Sequence, residues 1–114
     1  MTRYVIDAPT LLHLIDHELR LDPSIQLVAP SSIRSEAPQQ QVTELKMRLL
    51  GDRVSRGTAW RIARERGWDT LRDAEYLAIA RLQADALVTV DPDLAAKADG
   101  AVPLAPLDAL LNSA

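Results

Sequence analysis

Tyr4-Val5-Ile6-Asp7-Ala8-Pro9 is the stretch on which the reading of this chain turns. Three residues suited to extended backbone end at an aspartate. The proline that follows stands where a helix tolerates one, because a first-turn N–H has no intrahelical partner to lose. Behind it, Leu11, Leu12, Leu14, Ile15 and Leu19 recur at helical spacing. A strand that runs straight into an amphipathic helix is the opening unit of an α/β domain.

Outward from this stretch the alternation continues. Leu27-Val28-Ala29 reads as a second strand closed by Pro30, and Ser31 or Ser32 can cap a short helix containing Glu36, which Pro38 interrupts. Lys46–Leu50 reads as a third short strand, although Glu44–Leu50 also suits a helix. Thr58–Arg66 carries good helix formers and stops at Gly67, and Ala74–Gln83 forms a stronger helix. Leu87-Val88-Thr89-Val90 is the most strand-like run. Ala95–Ala98 finishes a short helix, Val102–Leu104 suggests a last strand, and Leu107–Leu111 a last helical turn. The expectation is one α/β domain over residues 1–114 with a mainly parallel sheet.

Composition narrows the class. Hydrophobic residues make up 47% and charged residues 25%, as in ordinary globular proteins, and the absence of cysteine excludes disulfides and thiolate zinc sites. No apolar run approaches a membrane span and no secretory leader pattern is present, so a cytoplasmic protein without a membrane partner is expected. The net charge of -3 conceals an asymmetry: residues 46–72 hold eight basic residues against three acidic ones, and the remainder of the chain is strongly acidic. A basic face, including Arg53, Arg56, Arg61 and Arg64, suits a phosphate backbone, although a solvated arginine-rich helix has the same composition.

The acidic residues fall in one structural situation. Asp7 follows the first strand, Asp91 follows Leu87–Val90, Asp73 opens the helix before that strand, and Glu36 lies near the start of the helix after the second. In parallel α/β sheets, ligands bind outside the carboxyl ends of strands, where side chains distant in sequence meet. Carboxylates gathered there repel unless a cation lies among them, and Mg²⁺ or Mn²⁺ suits all-oxygen donors. Such an ion supports phosphodiester hydrolysis without histidine or cysteine. Each acid also has a structural explanation: Asp7 and Asp91 as helix caps, Asp73 as the end of a capping box beginning at Thr70, and Glu36 as a solvated helix residue.

The residues also carry a family resemblance. Tyr4-Val5-Ile6-Asp7-Ala8 resembles the opening strand and first aspartate of PIN-domain proteins. Val28–Glu36 is similar to their second strand, proline and glutamate-bearing helix, Thr70–Ala80 to their Asp-small-Tyr helix, and Leu87-Val88-Thr89-Val90-Asp91 to their closing strand, threonine and fourth acid. The four motifs occur in family order over most of the chain. The resemblance implies a three-layer α/β/α PIN-like domain and a Mg²⁺- or Mn²⁺-dependent endoribonuclease similar to the VapC-like toxins of bacterial toxin–antitoxin pairs. It implies Asp7, Glu36, Asp73 and Asp91 as catalytic acids, with Asp7, Asp73 and Asp91 as metal ligands, Thr89 supporting them through hydrogen bonds, and Asp93 as an accessory acid. The implied partners are RNA, a cognate antitoxin and a second copy of the chain in a homodimer.

The chain departs from the family in two places. Pro9 and Thr10 stand where a small polar residue is more usual, and the interval from Glu36 to Asp73 is short, lacking room for the usual helical hairpin. The alternative function is therefore a catalytically weak or inactive PIN-fold module that binds RNA or a partner. Val90-Asp91-Pro92-Asp93 is also similar to the Asp-x-Asp motif of haloacid-dehalogenase-like phosphatases, but it lies near the wrong end of the chain. Trp60 and Trp68 can stack on unpaired bases or pack as core, Tyr76 reads as core, and His13 and His17 read as surface residues.

Overall fold

The computed structural model describes residues 2–17, 19, 21–31, 33, 47–50, 53–68 and 71–111. Four strands, β1 (Thr2–Ile6), β2 (Ile25–Pro30), β3 (Arg48–Leu50) and β4 (Ala86–Val88), form an all-parallel sheet in the order β3-β2-β1-β4. Between them lie helices α1 (Ala8–Asp16), α2 (Arg53–Arg66) and α3 (Arg72–Gln83), followed by α4 (Pro92–Ala98) and a 3₁₀ turn at Leu107–Leu110.

Strand alternation builds the three layers. Val5 pairs in register with Val28 on one side and Leu87 on the other, and all three pack with α2, α3 and α4 residues such as Ala59, Ile62, Leu77 and Leu94. The alternate residues Ile6, Leu27, Ala29 and Val88 face the other way, onto Leu11 and Leu14 of α1 and Leu110 of the 3₁₀ turn. Both faces of the sheet are covered, so its strands read as continuous apolar runs. The fold is α/β, three layers deep.

α3 is buried almost all round: Ala74, Tyr76, Leu77, Ala78, Ile79 and Ala80 are inaccessible between the sheet and α2. Tyr76 is core, as expected. α2 is longer than Thr58–Arg66. Ser55 and Gly57 are weak helix formers, but Ser55, Thr58, Ala59, Ile62 and Ala63 make one buried stripe, and that burial outweighs propensity. Gly67, at a φ of 69°, ends the helix in the left-handed conformation that glycine adopts without strain, and the Trp68 N–H returns to the Ala63 carbonyl at 2.9 Å.

The structure corrects several boundaries. The third strand is Arg48–Leu50, a strand and not a helix over those residues. Val102–Leu104 is no strand; Leu104 makes a single parallel bridge to Leu87, and Pro103 and Pro106 cannot extend a ladder. α3 has Leu71 as its N-cap with no side-chain capping bond, and Thr70 of the expected capping box lies outside the described residues. So does Glu36; of its expected helix only Ser31 and Ile33 are described, in a 3₁₀ turn.

Topology places the site. From β1 the chain steps outward to β2 and β3, then crosses back to lay β4 on the other side of β1. The connections leaving β1 and β4 therefore diverge, and a crevice opens beyond their carboxyl ends.

Candidate functional site

Asp7 and Asp91 are the residues that leave β1 and β4 at this switch point, and both are helix N-caps. Asp7 caps α1: its Oδ1 accepts the Thr10 N–H at 3.3 Å and also the Thr10 hydroxyl. Its Oδ2 accepts the Thr89 hydroxyl at 2.7 Å. Each hydroxyl is itself oriented from the neighbouring loop, because Thr10 Oγ1 accepts the Val90 N–H and Thr89 Oγ1 accepts the Asp91 N–H, both at 3.0 Å. A carboxylate that is 2% exposed is thus held by three neutral donors. This network also explains why β4 stops at Val88: the amides of Val90 and Asp91 donate to side chains and not to a ladder.

Asp91 Oδ1 accepts the Asp93 N–H at 2.9 Å and caps α4, whose first residue is Pro92. The structural explanations for Asp7 and Asp91 as caps are therefore realised, and capping is what fixes their carboxylates at the crevice.

Asp73 stands apart from that network. α3 precedes β4 and runs back along the sheet, which brings its first turn to the carboxyl edge. There Asp73 Oδ2 takes a hydrogen bond from Lys97 Nζ of α4 at 2.6 Å, with the ammonium 5.3 Å from the centre of the half-buried Trp68 ring. The hydrogen bond and charge of Asp73 hold Lys97 above the ordinary lysine range, and Asp93 and Asp91 add to the effect. One ammonium thus feels three carboxylates.

The structure links Asp7, Thr89 and Asp91 by hydrogen bonds, and it pairs Asp73 with Lys97, whose charge Asp93 and Asp91 also favour. It does not bring three carboxylates or histidines within reach of a single ion among the described residues. The donor set still has the chemistry of a hard cation site: it is all oxygen, and it already stabilises one positive charge. Mg²⁺ commonly takes only one or two carboxylates and keeps its waters. Arg53 opens α2, and Arg56, Arg61 and Arg64 are exposed along it. His17 is exposed and His13 half-buried, their rings 4.2 Å apart, in line with the surface reading.

Two participants escaped the sequence reading. Thr10 registered only as a departure from a family pattern, yet three residues after a capping aspartate a hydroxyl can reach back to the carboxylate. Lys97 drew no notice, although it lies one helical turn beyond Asp93.

No family model and no curated protein matches the chain. Among solved structures, the crystal structure of PAE2754 from Pyrobaculum aerophilum is similar, with a TM-score of 0.64 and 21% sequence identity over 94% of this chain and 92% of that one. No helix among the described residues is long and apolar enough to cross a membrane. At that identity the likeness speaks for architecture alone, and what it establishes is the α/β fold of a parallel sheet covered by helices.

Proposed function

We propose that this chain is a divalent-metal-dependent endoribonuclease of the PIN-domain type, the toxin half of a cytoplasmic toxin–antitoxin pair. The observation that carries the reading is the Asp7 network. A carboxylate offers about four acceptor positions, and the donors on Asp7 occupy three of them. A buried carboxylate held by neutral donors at a topological switch point is arranged to meet a cation.

Asp7 and Asp91 would hold Mg²⁺ or Mn²⁺, with Asp73 after release from Lys97, and with Glu36 as the resemblance implies. Such an ion supplies an activated water and offsets charge on the departing oxygen. The chain's own residues do the rest. Thr10 and Thr89 fix the angle of Asp7, Asp93 extends the negative field, and Lys97 trades Asp73 for a phosphate oxygen. The arginines of α2 hold the backbone of the RNA. An antitoxin and a second copy of the chain are the protein partners this reading expects.

The test is cleavage of RNA by the purified chain with Mn²⁺ or Mg²⁺ against a chelator control, in the parent and in Asp7→Asn and Asp91→Asn, with folding followed by circular dichroism. Folded variants should lose cleavage by at least about 100-fold, the scale set by losing an electrostatic contact made in the transition state. Unchanged cleavage in both sinks the proposal. A second reading, a PIN-fold module that binds RNA or a partner without turnover, is favoured by one observation: Lys97 neutralises Asp73, and no three acids reach one ion among the described residues. Binding without cleavage at millimolar Mn²⁺ would favour it.

A further inference from the structure

On the other side of α3 from Lys97 lies a cleft of about 410 Å³. Its apolar lining is Pro30 and Leu50 at the carboxyl ends of β2 and β3 and Leu71 and Ile79 from α3 and its entry, with Glu75 of α3 and Ser55 of α2 as polar members. Its rim is Arg56 and Trp60 of α2. The volume lies in the range of small-ligand sites, and the position is again outside strand ends.

Trp60 separates this cleft from an ordinary surface depression. Trp68 packs against the core, whereas Trp60 is 58% exposed although it lines a cavity. Arg56 lies one helical turn before it, on the same face, and makes no ion pair among the described residues. The exposed surface of the same helix continues with Arg61 and Arg64. A flat indole face beside an exposed guanidinium, over a largely apolar floor, matches a flat heteroaromatic ring joined to a phosphate. Single-stranded RNA offers that pairing at every residue. Duplex RNA keeps its bases stacked away.

We infer that the α2–α3 cleft receives one unpaired base of a single RNA strand, stacked on Trp60 with its flanking phosphate at Arg56. This rests on reading the chain as acting on RNA and adds to it the residues that hold one base and its phosphate.

The experiment is fluorescence anisotropy of a labelled ten-nucleotide single-stranded RNA, with a chelator present so that nothing is cut. Trp60→Ala should weaken binding about 5- to 100-fold, the usual span for losing a base–aromatic stack. Trp60→Phe should retain most of the affinity. Arg56→Ala should lower the slope of log affinity against log salt by about one. The same oligonucleotide made abasic should bind the parent and Trp60→Ala alike. Val54→Ala, which trims another exposed apolar side chain of α2 (66% exposed), should change nothing.

Equal binding by the parent and Trp60→Ala overturns the inference, as does an equal loss in Val54→Ala. So does a blunt-ended duplex that binds with the same dependence on Trp60. Cleavage is scored separately. Metal-dependent cleavage with no Trp60 effect leaves the nuclease reading standing and removes this one. A Trp60 effect without cleavage does the reverse.

Discussion

Two acidic regions share the carboxyl edge of this sheet and are built on opposite principles. At the β1–β4 junction, Asp7 is buried and held by neutral donors, two threonine hydroxyls and an amide, each fixed by covalent geometry or by a further backbone bond. At the α3–α4 junction, Asp73 is partly exposed and held by one flexible ammonium. Neutral donors orient a carboxylate and leave its charge in place, so the negative field still reaches outward. A lysine cancels the charge and can be exchanged for another cation at little cost. The first region is preorganised and the second is replaceable. An ion arriving at this edge would find one ligand waiting and one that must be released.

The sharpest way to break that contrast is to truncate each acid. Asp7→Ala removes the cap of α1 and strands buried donors. It should cost roughly 2–4 kcal/mol of unfolding free energy in urea, from the typical loss of a cap and of a buried acceptor. Asp73→Ala should cost less than about 1 kcal/mol, as exposed pairs do. Equal losses would mean that the two regions are not different in kind.

A smaller effect should come from Thr89→Val, which keeps the shape of the side chain and deletes a hydroxyl that donates to Asp7 and accepts from Asp91. A loss of about 1–2 kcal/mol is expected, with most of it restored in Thr89→Ser. If valine keeps the parent's stability and serine does not, the methyl group and not the hydroxyl is what matters at this position, and Asp7 is oriented by Thr10 alone.

The contrast also separates what the sequence discloses from what it does not. Strand β1, its capping aspartate and helix α1 are legible because every signal there is local: β-rich residues, an N-cap, a first-turn proline, a helical apolar stripe. The placement of Asp91 after a strand is legible for the same reason. The end of β4 is not, because it depends on Thr10, some eighty positions away, accepting the Val90 amide. Nor is the start of α2, which is decided by burial against α3 and not by the preferences of Ser55 and Gly57. Lys97 is the clearest case. Nothing near it in sequence says that it lies against Asp73, because that contact exists only once α3 and α4 have both packed on the sheet.

Lys97 gives the finest test. Because Asp73, with Asp93 and Asp91, raises its pKa above the ordinary lysine value of 10.5, the stabilisation it contributes is fully present below that ordinary value. It is lost as the pH rises through the raised one. The difference in stability between the parent and Lys97→Met should be flat from neutral pH to about pH 9, fall above about pH 10, and shrink with salt. It should stay under about 1 kcal/mol, the range for exposed pairs. In calorimetry the same variant should bind Mn²⁺ more tightly than the parent, since the competing cation has gone. Tighter binding with the expected alkaline decay would identify Lys97 as an occupant that a metal displaces. A stability difference that persists unchanged at pH 11 would make its contact with the Trp68 ring, and not its charge, the reason it is there.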